Sequence, residues 1–111
     1  MPKYLALFSY SDEAMAAMID NPADREAAVR RVLDSVGARL ETFYWMFGTY
    51  DGMAVVEASD SVTMAGVSTA IRSTGTVRSE THDLFASDDI HHILDTARTA
   101  RASFTEPGRS A

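Results

Sequence analysis

The sequence predicts an α+β fold: a four-stranded sheet with helices on one face, in the order βαββαβ, followed by one further helix. Three observations predict it. Short segments rich in aromatic and branched residues alternate with segments whose apolar residues recur at three- and four-residue spacing. Each change of pattern carries a cap or turn signal. A length of 111 residues with 46% hydrophobic and 23% charged residues is that of one ordinary globular domain.

Residues 3–10 read as the first strand, ended by Ser9-Tyr10-Ser11. Ser11 is a good N-cap, and Asp12 and Glu13 suit the positive end of a helix dipole. Ala14, Met15, Met18 and Ile19 form one face of that short helix. Asn21-Pro22 stops it and starts another, with Asn21 as cap and Asp24 where a capping-box acid would sit. Ala28, Val29, Val32, Leu33 and Val36 make the apolar stripe of this second helix. Arg25, Glu26, Arg30, Arg31 and Asp34 fall mostly outside it, and Gly37 is the C-terminal stop.

The second strand spans 38–48. Gly48-Thr49-Tyr50-Asp51-Gly52 turns the chain, Asp-Gly being a strong hairpin signal, into a third strand over 53–58. Asp60 caps a helix with Met64, Val67 and Ile71 as its apolar line, ended by Ser73-Thr74-Gly75. The fourth strand, 76–85, is more polar. Ser87 caps the last helix, whose apolar face is Ile90, Ile93, Leu94 and Ala97. The domain is expected over 1–102 and a flexible tail over 103–111. The order is the split-βαβ, ferredoxin-like one, and right-handed crossovers place the first and third strands in the centre.

The other face of the sheet breaks the expected alternation. Phe43, Tyr44, Trp45, Met46 and Phe47 are consecutive, so large side chains point both ways. In the first strand Leu5 and Leu7 oppose Tyr4, Ala6, Phe8 and Tyr10. In the third, Met53 and Val55 oppose Ala54 and Val56. A buried large apolar side chain contributes on the order of 2–3 kcal/mol, and a contiguous apolar patch left in water is uncommon for a monomer. Two covers are available: a second copy packed sheet to sheet about a two-fold axis, which is favoured, or the last helix folded over this face.

Composition excludes several function classes. The net charge of −6 argues against nucleic-acid and anionic-membrane partners. The same fold order occurs in RNA-recognition modules, but these need exposed aromatics in a basic third strand, and Met53-Ala54-Val55-Val56-Glu57-Ala58 is neither. No cysteine is present for disulfides, thiolate catalysis or zinc-thiolate sites. No apolar run reaches the roughly 18 residues of a membrane span, and Met1-Pro2-Lys3 leads straight into a strand, so the expected location is the cytoplasm.

The segments Pro2-Lys3-Tyr4-Leu5-Ala6-Leu7-Phe8-Ser9-Tyr10 and Glu41-Thr42-Phe43-Tyr44-Trp45-Met46-Phe47-Gly48-Thr49-Tyr50-Asp51-Gly52 resemble those of GYD-domain proteins. Gly48, Tyr50 and Asp51 match the motif that names that family, and the resemblance covers roughly residues 2–95. It implies a dimeric α+β barrel: ferredoxin-like subunits whose sheets pack together, with a small-molecule pocket between sheet and helices. The wider group includes cofactor-free and haem-using monooxygenases, isomerases, cyclases and plain binding proteins, so the resemblance implies fold and little chemistry.

Several residues carry candidate chemistry. Arg78, Glu80 and His82 share one face of the fourth strand, a combination suited to an anion clamp, an orienting acid and a base. As charges on an edge strand they also serve as protection against aggregation. Glu57, on the third strand, is either a buried acid or base with a raised pKa or a strand-end carboxylate paired to an arginine. The catalytic candidates are His82 and Glu57. The ligand-binding candidates are Tyr50 at the pocket mouth, Trp45 for stacking, and Arg78; turn packing and core packing are the competing roles of Tyr50 and Trp45.

His91 and His92 are about 100° apart on a helix and cannot chelate one ion together. No metal site and no cofactor is expected, with a single-histidine haem ligand at His82 or His91 a weak alternative. No phosphate loop or nucleophile elbow occurs. The leading reading is a small homodimer or larger homo-oligomer with an apolar pocket for an apolar or aromatic molecule, whose chemistry, if any, would be cofactor-free proton transfer, isomerisation or oxygenation. The alternative is a non-catalytic structural or regulatory assembly protein.

Overall fold

The computed structural model describes residues 1–109. It is an α+β, ferredoxin-like fold. The elements run β1 (Lys3–Tyr10), α1 (Asp12–Asp20), α2 (Arg25–Ser35), β2 (Arg39–Trp45), β3 (Gly52–Glu57), α3 (Ser61–Arg72), β4 (Val77–Leu84), a 3₁₀ turn (Ser87–Asp89) and α4 (Ile90–Ser103). The sheet order is β2-β3-β1-β4, every pair antiparallel, so β1 and β3 are central as the crossover rule requires.

Local chemistry explains the helix starts. Ser11 Oγ accepts from Ala14 N–H at 3.1 Å, and Asp60 Oδ1 accepts from Thr63 N–H at 2.9 Å. The bond from the Thr63 backbone, then that from its hydroxyl, hold the Asp60 carboxyl below its ordinary range.

Two starts differ from expectation. The cap of α2 is Asp24, which accepts from Ala27 N–H at 3.0 Å, whereas Asn21 closes α1 by donating its N–H to Ala17 O. Ser87 does not cap α4: it opens the 3₁₀ turn, and Asp89 Oδ2 reaches back to Ala86 N–H at 3.0 Å. The second strand also ends early, at Trp45 rather than Gly48. Met46 N–H donates to Asp51 O at 2.8 Å and closes the hairpin loop there, leaving Phe47 fully exposed.

α2 and α3 lie on one face, whereas α1 buries no residue and Ile19 of its expected apolar face is exposed. Beneath α2 and α3, Tyr4, Phe8, Leu33, Leu40, Ala54, Val56, Met64 and Val67 form the core. Leu33 is 2% exposed, and burying a side chain of that size stabilises by roughly 2–3 kcal/mol. The Tyr4 hydroxyl meets Ser61 Oγ at 3.2 Å, so its polar end is satisfied. At the edge Phe8, Tyr10, Phe43 and Trp45 form an aromatic cluster with ring centroids 5.5–6.4 Å apart. Register explains the run of aromatics in β2. Phe43 and Trp45 sit opposite Ala54 and Gly52 on the helix side, while Tyr44 sits opposite Met53 on the open side. The register slips once, between Leu40 and Thr42, where Glu41 is the extra residue of a bulge.

The open face has Leu5, Leu7, Met53 and Val55 at its centre, all partly accessible. α4 does not cover it. Every residue of α4 is exposed, including its apolar line Ile90, Ile93, Leu94 and Ala97. The chain measures 60 × 33 × 23 Å with a radius of gyration of 18.2 Å, against about 13 Å for a compact chain of this length. α4 is therefore an arm. Among the described residues no helix is long and apolar enough to cross a membrane. Of the expected tail, residue 103 ends α4, residues 104–109 are exposed, and 110 and 111 lie outside the described residues.

Candidate functional site

The two faces of the sheet present different chemistry. On the open face, β4 aligns Arg78, Glu80 and His82 at period two, beside Ser9, Leu7 and Leu5 of β1. His82 Nε2 lies 2.6 Å from Glu80 Oε2, and the Tyr50 hydroxyl donates to Glu80 Oε1 at 3.0 Å. Tyr50 comes from the hairpin loop, so Glu80 bridges two segments thirty residues apart in the chain. The bond to His82, then that to Tyr50, lower the pKa of Glu80; the hydrogen bond to Glu80, with burial and its charge, raises that of Tyr50. A carboxylate so stabilised in its charged form is a weaker base. About half of each of the His82 and Glu80 side chains is in solvent, so the single chain offers them no desolvated site.

The other candidates are elsewhere. Glu57 is at the far end of β3, 2.8 Å from Arg39 Nη2 and 3.9 Å from Lys3 Nζ, and Lys3 also holds Glu41 at 3.0 Å. It is a strand-end ion pair, with β1 between it and β4, so Glu57 and His82 do not meet. Arg78 is exposed and has no ion pair among the described residues. Trp45 belongs to the edge aromatic cluster. His91 and His92 are exposed on α4. Among the described residues no cluster of three or more His, Asp or Glu side chains could hold a metal ion.

A cavity of about 130 Å³ lies on the opposite side, between the sheet and α2 and α3. None of His82, Glu57, Tyr50, Trp45 and Arg78 lines it. Its walls are Ala6, Phe8 and Tyr10 of β1, Val29 and Leu33 of α2, Val67 and Ile71 of α3, and Ser79 and Thr81 of β4. Its one charged lining residue is Arg25. The Nε of Arg25 and the Oγ of Ser79 are shielded from solvent, and neither has a hydrogen-bond partner.

Sequence reasoning missed both residues, though the signal was present. Arg25 stands three and four residues before Ala28 and Val29, so it heads the apolar stripe rather than lying outside it. Ser79 alternates with Val77 and Thr81 on the inward side of β4, between the charged residues that face the other way.

Comparison with known proteins matches most of the chain. A protein of Thermus thermophilus named glutamine synthetase and cystathionine beta-lyase binding protein is 27% identical over 90 residues, which span 81% of this chain and 95% of that relative. The model of the GYD domain matches residues 4–94, from the first buried tyrosine of β1 to the first turns of α4. With most of its length matched by that model, the chain belongs to the GYD domain family.

Proposed function

We propose that this chain is a self-associating, non-catalytic binding protein. Its open sheet face packs on a second copy to give a dimeric α+β barrel, and the assembly engages other proteins. The observation that carries the reading is the uncovered sheet centre of Leu5, Leu7, Met53 and Val55, which the chain's own last helix leaves bare. A second apolar surface, the line Ile90, Ile93 and Leu94 on α4, is likewise without cover. Two such surfaces on one small domain favour burial between copies. The relative's printed name supports protein partners, enzymes in that case. The weak basicity of Glu80 and the ion-paired state of Glu57 favour binding over proton transfer.

Light scattering after size exclusion tests the reading. The wild-type chain is expected to run as a dimer or larger at micromolar concentration. The double substitution Leu7→Glu and Val55→Glu is expected to give a monomer with unchanged far-ultraviolet dichroism. A wild-type monomer on dilution, or an unchanged assembly in the folded double variant, would overturn it.

A further inference from the structure

We infer that the cavity between the sheet and α2 is a binding site for a small apolar monocarboxylate, with Arg25 and Ser79 holding the carboxylate. This goes beyond the assembly reading and does not depend on it, because the cavity is built within one chain.

The inference starts from two orphan polar groups. A guanidinium Nε can only donate, and that of Arg25 is buried with nothing to donate to. No carboxylate forms an ion pair with Arg25 among the described residues, although the chain carries more acidic than basic residues. Its guanidinium carbon lies over the face of Tyr10, 5.9 Å from the ring centroid. Shielding an N–H donor and a hydroxyl without partners is costly, and buried polar groups are as a rule satisfied.

Both orphans belong to residues that line the same cavity. Ser79 is the register partner of Phe8, and Tyr10, which lies under Arg25, is two residues along the same strand. Two donors on one cavity call for an acceptor-only head, and a carboxylate is the group whose paired oxygens fit a guanidinium edge. The remaining wall is apolar, set back by the small Ala6, Ala28 and Ala54. The neighbouring hydroxyls of Ser68 and Thr81 bond each other at 3.2 Å, which engages the O–H of one of them.

Size narrows the class. A cavity of about 130 Å³ is close to the engineered apolar cavity of about 150 Å³ that takes benzene. A single ring or a short branched chain bearing one carboxylate fits; an inorganic anion alone leaves the apolar wall unfilled. Arg25 is half-buried at the start of α2, the one cationic group on an otherwise apolar wall.

The experiment titrates the full-length protein with benzoate, phenylacetate and 3-methylbutanoate, each against its uncharged amide, and with inorganic phosphate. Binding is read by calorimetry and by backbone amide shifts. At least one acid is expected to bind about tenfold or more tighter than its amide, as a charged hydrogen-bonded pair requires, with shifts at Arg25, Ser79 and Val29. Arg25→Gln is expected to abolish the preference for acid over amide, Arg25→Lys to restore part of it, and Ser79→Ala to weaken it. The wild-type comparison of acid with amide stands even where a variant fails to fold. Absence of binding by all three acids, equal binding of acid and amide, phosphate binding as tightly as the acids, or shifts confined to the open face would each overturn the assignment.

Discussion

The backbone N–H of Tyr10 donates to the Asp51 carboxylate, Oδ2, at 2.8 Å, and the Asp51 N–H donates in turn to the carbonyl of Phe8 at 2.8 Å. One hairpin residue thus grips the end of β1 with both side chain and backbone. The turn expected of Asp51-Gly52 is therefore also a clamp between non-adjacent segments. It fixes the loop that carries Tyr50, and so the approach of the Tyr50 hydroxyl to Glu80.

Removing that clamp has a defined cost. Asp51→Ala leaves a partly buried Tyr10 N–H without its acceptor, which costs about 1–3 kcal/mol. Asp51→Asn keeps an acceptor oxygen and is expected to lose less. Urea denaturation of the two variants checks the order; equal and negligible losses would show that water replaces the carboxylate freely.

Gly52 is required for a different reason from the one a turn suggests. It is the first residue of β3, and a Cβ built there overlaps the ring of Phe8. Gly52→Ala is expected to destabilise by about 1–3 kcal/mol, the usual range for overpacking. The loss is expected to shrink in a Phe8→Leu background, where the ring no longer lies over the glycine. A double-mutant cycle measures this coupling, and an identical loss in both backgrounds would assign the cost elsewhere.

The fold was legible because its signals are local and repeated. The short aromatic and branched runs of β1 and β3, the four-residue spacing of Val29 and Leu33 and of Val67 and Ile71, and the caps Ser11 and Asp60 each name an element without tertiary information. The end of β2 was not legible, because Met46 and Phe47 continue an apolar run while a backbone bond from Met46 to Asp51 closes the loop. The pairing of Glu80 with His82 followed from strand periodicity. The bond from Tyr50 did not, since it depends on where the clamped loop lands. A pocket between sheet and helices was expected from the family resemblance, but the residues that line it were not. It arises from small residues at register-matched places on different elements, and no single stretch of sequence displays such a gap.

The Tyr50–Glu80–His82 contacts have a pH signature. Glu80 is held below its ordinary value of 4.5, so what its carboxylate contributes to folding is present above that value and lost as pH falls through the lower, folded-state pKa. Tyr50 is held above 10.0, so its contribution is present below that value and lost as pH rises through the higher, folded-state one. Side-chain carboxyl resonances of Glu80 are expected to titrate with a midpoint below 4.5. Tyr50→Phe is expected to move that midpoint up, and His82→Phe to move it further, since the imidazole bond has the larger influence. A midpoint indifferent to both substitutions would mean that the contacts do not persist in solution.

The arm gives the last prediction. α4 spans Ile90–Ser103, and a helix of 14 residues packed on nothing is marginal in water. In the proposed assembly its stability is expected to come from burying Ile90, Ile93 and Leu94 against another copy, since its own domain does not reach them. Ending the chain after Ala86 is therefore expected to leave the thermal midpoint of the dissociated domain nearly unchanged, within about 4 °C. The same truncation is expected to weaken assembly. Amide exchange supplies the complementary measurement, with α4 protected at concentrations where the protein is assembled and rapidly exchanging where it is not. Were α4 instead to fold back over Leu5 and Val55 in solution, truncation would strip about 1.5–3 kcal/mol for each large apolar side chain from the monomer itself. A steep fall in the monomer's midpoint would then accompany the loss of the arm, and the sheet face would have its cover within one chain.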